Sequence, residues 1–512
     1  MAGFDDARPS RADKRGVPLW LPLAAGAAAA VLSIPARLSF AAFMGSDPGA
    51  SLAATLLANR GFIALRDFAY PYGPLTLALQ QLSLAVTGNG PLGFALLTLL
   101  ATMLFAWAMM TAIRALRPDA APALLLTVAP IVAALCMQWV PVYALELAAL
   151  AWALVLWARG QRGPALAWLV AGALIKPTMS VVLGTWFLAG TVTAAPRGSA
   201  AAWRRVLIPP LATAAVLLTV LGFDFGGHGL INLALPLAGM RAYRARHFSF
   251  FSLENNPFIV PRGQLVRYLV TPLSMWALGL LGLAAAVWLL ARRSRPFDSP
   301  KGMRWCATAA CLLGTIAFIL RFYAWRGSYV YYITLPLIGL GLAPWGSKLT
   351  RTWRAALVTI AAVAVLGTAS QVRYGIWGWR QERPSATSAY LWATPEETAA
   401  WAHFAAANPS GSRPLFIDND GSPESLFPAY GPPWHGYLDP GYPTERDFGE
   451  LQQRLTEAQC IVLTDATFGH FNVSLLNTAQ LQAIKARLPH VSGALVSSFD
   501  ATSQYDTYGC NP

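Results

Sequence analysis

Apolar runs long enough to cross a membrane recur along this chain, and basic residues gather at alternate ends of them. Runs near residues 91–113, 119–137, 141–158, 204–222, 268–291, 303–321, 329–346 and 354–374 follow a first one that starts at Val17. At ~1.5 Å rise per residue, about 20 apolar residues span the hydrocarbon core, so each run predicts a transmembrane helix. The composition agrees: 55% of residues are hydrophobic and 12% are charged, where soluble domains carry about 25% charge. A soluble enzyme, a disordered tail protein and a disulfide scaffold are excluded.

The charges give the direction of the spans. Arg8 to Arg15 form a polar, basic segment ahead of the first run, a signal-anchor pattern with a cytoplasmic N-terminus. A cleavable signal peptide is the rival, since Ser39-Phe40-Ala41 is loosely compatible with cleavage. Basic clusters then mark cytoplasmic ends: Arg114/Arg117, Arg159/Arg162, Arg197/Arg204/Arg205, Arg292/Arg293/Arg295 with Lys301/Arg304, and Lys348/Arg351/Arg354. Between Gly163 and Ala195 a long apolar run has basic residues beyond both ends and is broken at Lys176-Pro177. Two short helices meeting at Lys176 satisfy both ends, because Pro177 cannot continue a regular helix; a re-entrant loop is the alternative with the same parity.

About eleven spans result. Their odd number places everything after the last span on the outside. The predicted organisation is a cytoplasmic tail (1–16), a polytopic α-helical transmembrane domain (17–376) with outside loops at 35–91 and 222–267, and an outside α/β domain (377–512). The net charge of +14 conceals this division. Residues 377–512 hold 7 Lys/Arg against 14 Asp/Glu, while the preceding part holds 31 and 10. The excess of positive charge therefore follows membrane topology and does not signal nucleic acid. Residues 73–86 are too short to span and are interrupted by Gln80 and Gln81. They predict an interfacial helix in the first outside loop, together with residues 49–59.

Several polar residues break the membrane rules, all on the predicted outside face. Asp47 lies in Gly45-Ser46-Asp47-Pro48-Gly49, where ordinary turn or helix-capping chemistry would also place an aspartate. Asp67 follows Arg66, which it could simply neutralise, as it could Arg60. Lys176 sits in an apolar hairpin, where a lysine either snorkels to the interface or serves a partner. The loop at 222–267 carries Arg241, Arg244, Arg246, His247, Arg262 and Arg267 among aromatic residues. That pattern suits either a helix lying on anionic headgroups or a site for a lipid phosphate. Arg321 and Arg326 flank a further turn that runs into Tyr329, as an aromatic belt with snorkelling arginines would.

Taken together, these segments resemble the GT-C superfamily of integral-membrane glycosyltransferases, which use polyprenyl-phosphate sugars. The resemblance covers the acidic residue just after the first span and Gly61…Arg66-Asp67-Phe68-Ala69-Tyr70-Pro71-Tyr72-Gly73-Pro74-Leu75. It continues through Gly172-Ala173-Leu174-Ile175-Lys176-Pro177, Arg326-Gly327-Ser328-Tyr329…Tyr332…Pro336 and the C-terminal outside domain. It implies that Asp47 takes the catalytic acidic position and Asp67 the second acidic element. It further implies that Lys176, Arg244, Arg246 and Arg326 hold the donor phosphate, with Tyr70, Tyr72, His247 and Tyr329 as substrate-binding candidates. Many members carry an Asp-Glu pair in the first loop, whereas here Pro48 follows Asp47.

The implied chemistry is direct inverting transfer of a hexosyl or pentosyl group to a glycan, lipid or protein acceptor. A carboxylate would act as general base towards the acceptor hydroxyl, and cations would stabilise the departing polyprenyl phosphate. The chain shows no Gly-rich phosphate loop and no metal-spaced His/Cys set, so no cofactor is assigned; a divalent metal stays open. The rival classes are a lipid-linked glycan flippase or other transporter and a non-catalytic assembly subunit.

Beyond a linker at Trp377 to Ser388, apolar runs at 415–417, 460–463 and 494–496 alternate with helical patterns at 394–408, 444–457 and 478–488. This order predicts a small α/β layered domain. Cys136, Cys306 and Cys311 lie in predicted spans as apolar packing. Cys460 and Cys510 both lie outside, where oxidation can occur, but the apparent burial of Cys460 on a strand counts against a bridge. The Ala-rich composition suggests a bacterium, which makes the inner membrane the expected location and the periplasm the outside.

Overall fold

The computed structural model describes mainly residues 47–59, 72–88, 90–116, 141–176, 200–224, 375–384, 392–409, 414–417, 452–464, 478–496 and 504–511, with isolated positions between them. In the membrane part these form α1 (Asp47–Asn59), α2 (Pro74–Thr87), α3 (Gly90–Leu116), α4 (Pro141–Ala158), α5 (Arg162–Ile175) and α6 (Ala200–Asp224). Three apolar stretches among the described residues are long enough to cross a membrane: Leu92–Thr111, Pro141–Ala158 and Ala200–Leu221. They coincide with three of the runs read from sequence. The runs at 268–291, 303–321 and 329–346 lie outside the described residues, as do all but Val132 of 119–137 and all but Arg373 of 354–374; in the first run Trp20, Ala24, Ala27, Ala28, Val31, Leu32, Ile34 and Pro35 are described, and all are helical.

The helices pack in chain order, α3 on α4, α4 on α5 and α5 on α6. A tight turn at Arg159-Gly160-Gln161, with Gly160 at φ 80°, reverses the chain between α4 and α5. Their antiparallel register shows in the contacts. Trp152 stacks on Trp168 at 6.1 Å between centroids, and Gly172 faces Ala149. Gly163 lets α5 approach the backbone of α6 at Arg205 and Val206. One end of the bundle thus collects Arg159, Arg162 and Arg205, with the Arg159 guanidinium donating to the Thr111 carbonyl oxygen of α3 at 3.4 Å.

After Lys176 the chain turns back. Ser180 sits against Gly172, Gly184 against Leu169, and Phe187 stacks on Trp157 at 4.1 Å. All four returning positions, 180, 183, 184 and 187, are helical. The return limb therefore reaches the level of Trp157, near the basic end. These contacts make a helical hairpin of the kind expected from Pro177, though at 14 residues α5 is shorter than a membrane span.

The C-terminal part contains β1 (Arg383–Pro384), β2 (Trp392–Ala393), α7 (Pro395–Ala407), β3 (Leu415–Ile417), β4 (Ile461–Thr464), α8 (Thr478–Arg487), β5 (His490–Val496) and β6 (Gln504–Tyr508). Strands β3-β4-β6-β5 form one sheet, with β3 and β4 parallel and the other pairs antiparallel. Leu415, Ile461 and Val462 supply buried positions in it. The expected strands at 415–417, 460–463 and 494–496 are present, whereas β6 was not anticipated. Its sequence, Gln504-Tyr505-Asp506-Thr507-Tyr508, has no apolar run and is held by β4 and β5 on either side.

Two expectations are corrected here. The stretch from Trp377 is not a plain linker: residues 375–381 are helical, and β1 pairs with β2. Its tryptophans find partners, because Trp379 meets Trp392 edge-on and its indole N–H donates to the Val31 carbonyl oxygen at 3.2 Å. Cys460 and Cys510 are bridged. The register explains it: Ile461 pairs with Tyr508, so Cys460 enters β4 beside the point where Cys510 leaves β6. Burial of Cys460, which argued against a bridge, is shared by Cys510.

Candidate active site

Opposite the basic end, the C-terminus of α5 meets the N-terminus of α2. The Ile175 carbonyl oxygen accepts from the Gly73 backbone N–H at 2.8 Å and from the Thr76 hydroxyl at 2.9 Å. Ending α5 frees this carbonyl, and Pro74 at the start of α2 needs no N–H partner there. Gly73 is required by space: a Cβ on it would collide with the Leu174 carbonyl oxygen. Two distant pieces of sequence, Tyr70 to Thr76 and Leu174 to Lys176, are joined backbone to backbone.

Lys176 emerges at this junction with extended backbone (φ −150°, ψ 112°), its N–H still closing on the Gly172 carbonyl oxygen. Its ammonium lies 4.0 Å from the centroid of the Tyr143 ring and 5.8 Å from that of Tyr72. Each such contact is worth about 0.5–2 kcal/mol, rising as water is excluded. Tyr72 in turn stands edge-on to Tyr70, centroids 5.6 Å apart. Below them a buried apolar group of Ala54, Leu77, Val142, Ala149, Ile175 and Leu221 ties α1, α2, α4, α5 and α6 together.

Tyr70 is buried, and its hydroxyl donates to Gln80 Oε1 at 2.9 Å. Burial pushes its phenol well above the ordinary tyrosine range, so it remains a donor at neutral pH. Asp47 is the first residue of α1, and the N-terminal end of a helix is a favourable place for negative charge. A first-turn position is enough to account for an acidic residue.

Of the residues singled out from sequence, the structure brings together Lys176, Tyr70 and Tyr72, and places Asp47 at the head of the helix that packs on α2. Asp67, Arg244, Arg246, His247, Arg326 and Tyr329 lie outside the described residues. Tyr143, Thr76 and Gln80 were missed. Tyr143 has a signal in hindsight, an aromatic residue at the charge-free end of a span whose other end carries Arg159. Gln80 stood out only as an interruption of an apolar run. Among the described residues, no group of three or more His, Cys, Asp or Glu is placed to hold a metal ion.

No protein-family profile matches the chain, and no curated protein matches it by sequence. The fold is similar to two crystal structures of ArnT from Cupriavidus metallidurans. To the structure bound to undecaprenyl phosphate the identity is 14% and the TM-score 0.45, covering 96% of this chain and 97% of that one. To the apo structure the identity is 14% and the TM-score 0.40, covering 94% and 97%.

Proposed function

We propose that this chain is an inverting glycosyltransferase of the inner membrane of a bacterium, moving a sugar from a polyprenyl-phosphate donor to a cell-envelope glycan, lipid or protein. The observation that carries the reading is the placement of Lys176. A cation stands between Tyr143 and Tyr72 at the end of apolar helices, and the carbonyl oxygen of its neighbour Ile175 is bonded to Gly73 at the start of α2. A lipid phosphate needs this combination of positive charge and adjoining apolar surface.

In the proposed reaction the acceptor oxygen attacks the anomeric carbon as the bond from that carbon to the phosphate oxygen breaks. The acceptor proton passes to the Asp47 carboxylate, and the electron pair leaves with the polyprenyl phosphate. Lys176 stabilises the charge that grows on the leaving phosphate, joined in this reading by Arg244, Arg246 and Arg326. Asp67 orients Arg66 or the acceptor, and His247 and Tyr329 line the substrate site. No nucleotide enters, and the leaving group needs no protein acid.

The Cys460–Cys510 bridge supports a periplasmic C-terminal domain, since such bonds persist in oxidising compartments. The collection of Arg159, Arg162 and Arg205 at the end remote from Lys176 supports the same orientation. A lipid-linked glycan flippase is the second reading. Glu146, fully buried in the second turn of α4, favours it, because ionisable groups inside spans mark transport pathways.

Reconstitution in vesicles decides between them. Purified protein with a panel of polyprenyl-phosphate sugars and envelope extracts should release free polyprenyl phosphate and a glycosylated product. Movement of labelled lipid-linked glycan across the bilayer, with no release of the carrier, would replace the transferase reading with the flippase.

A further inference from the structure

Helices α1 and α2 meet along a buried polar seam that the chemistry above does not use. Ser51, Thr55, Thr76 and Gln80 are all buried, three of them with no exposed surface. The single proton of the Thr55 hydroxyl lies between the Ser51 carbonyl oxygen at 2.8 Å and Gln80 Oε1 at 3.3 Å. The Tyr70 hydroxyl reaches the same Oε1 at 2.9 Å. One amide oxygen thus serves two separate elements. The first is the helix that Asp47 heads, and the second is the stretch running through Tyr72 to Gly73. One turn earlier on α2, Thr76 holds the carbonyl oxygen next to Lys176.

The other half of the amide has no such use. Gln80 Nε2 is buried without a hydrogen-bond partner, which costs a protein stability. Apolar packing gives no reason for an amide here, whereas the oxygen's two contacts do. We propose that Gln80 is a positioning residue, fixing the spacing between the Asp47 helix and the Tyr72–Lys176 pair through Thr55 and Tyr70. This rests on the roles given above to Asp47 and Lys176.

The test uses the full chain in lipid, with Gln80→Leu, Gln80→Glu, Tyr70→Phe and the Tyr70→Phe/Gln80→Leu double variant. Gln80→Leu should lower kcat by about tenfold, the scale on which misplaced reacting groups lose rate, with donor KM little changed and no matching loss of thermal stability. Gln80→Glu keeps the accepting oxygen, and burial keeps its carboxyl protonated and uncharged, so it should recover most of the rate. The double variant should be no slower than Gln80→Leu, because both changes cut one connection. Full activity in Gln80→Leu, equal damage in Gln80→Glu, or multiplied losses in the double variant would overturn the proposal. If the wild-type protein transfers no sugar from any polyprenyl-phosphate donor, the functional reading fails on its own. Hydrogen exchange then decides the positioning role. Faster exchange of residues 51–59 in Gln80→Leu, absent in Gln80→Glu, supports it, and unchanged exchange overturns it.

Discussion

The Lys176 ammonium stands 4.0 Å from the centre of the Tyr143 ring, joining two helices that run in opposite directions through the apolar part of the protein. The ring face offsets part of the cost of holding a charge in these apolar surroundings. In the reaction proposed above, the leaving phosphate meets a cation whose position the ring already fixes.

Neutralising that charge should weaken donor binding before it affects anything else. Lys176→Gln is expected to raise the dissociation constant for polyprenyl phosphate by about tenfold or more, the scale of one charge-assisted contact. Lys176→Arg keeps the charge with a different shape and should fall between the two. Unchanged affinity in Lys176→Gln, measured by tryptophan quenching or lipid-binding calorimetry, would remove Lys176 from the donor site.

Asp47→Asn preserves size and turn propensity but removes the proton acceptor. Donor binding should survive while turnover falls by about 10²-fold or more. Asp67→Asn is the comparison and should cost less. If the order of losses is reversed, Asp67 is the base.

Gly73→Ala tests the junction itself. The added methyl collides with the Leu174 carbonyl oxygen, and overpacking of this kind costs about 1–3 kcal/mol. Because the collision pushes α2 away from Ile175, the variant should lose donor affinity along with melting temperature. Thr76→Val should show a milder form of the same pair of effects.

Cys460→Ser should destabilise the C-terminal sheet. The bond joins residues 50 apart, for which chain entropy in the unfolded state predicts about 4 kcal/mol. Limited proteolysis with and without reductant would detect the loss. A C-terminal alkaline phosphatase fusion should be active, and an inactive one in a properly inserted protein would contradict the periplasmic placement.

Much of this was legible in the sequence because water and lipid impose strong patterns. The spans at 91–113, 141–158 and 204–222 announced themselves by length, and Lys176-Pro177 by a charge and a helix breaker in an apolar run. Local pattern also found β3, β4 and α7. It failed where partners decide the outcome. The β6 strand is polar along its length and exists because β4 and β5 flank it. The disulfide depends on a register between strands, which no spacing of two cysteines reveals. Tyr143 is an ordinary interfacial tyrosine until Lys176 is placed against it, and Gln80 is a flaw in an apolar helix until Tyr70 and Thr55 reach it.

The contact of Gly73 with Leu174 has a further consequence. Together with the Thr76 hydroxyl, peptide groups set the distance between the start of α2 and the end of α5: the Gly73 N–H holds the Ile175 carbonyl oxygen, and the bare Cα of Gly73 lies against Leu174. Side chains that do not bond across the junction can then change while the spacing between Gly73 and the end of α5 stays constant. The two helices keep a fixed ruler between them, provided the hydrogen atom that serves as the side chain of residue 73 is left alone.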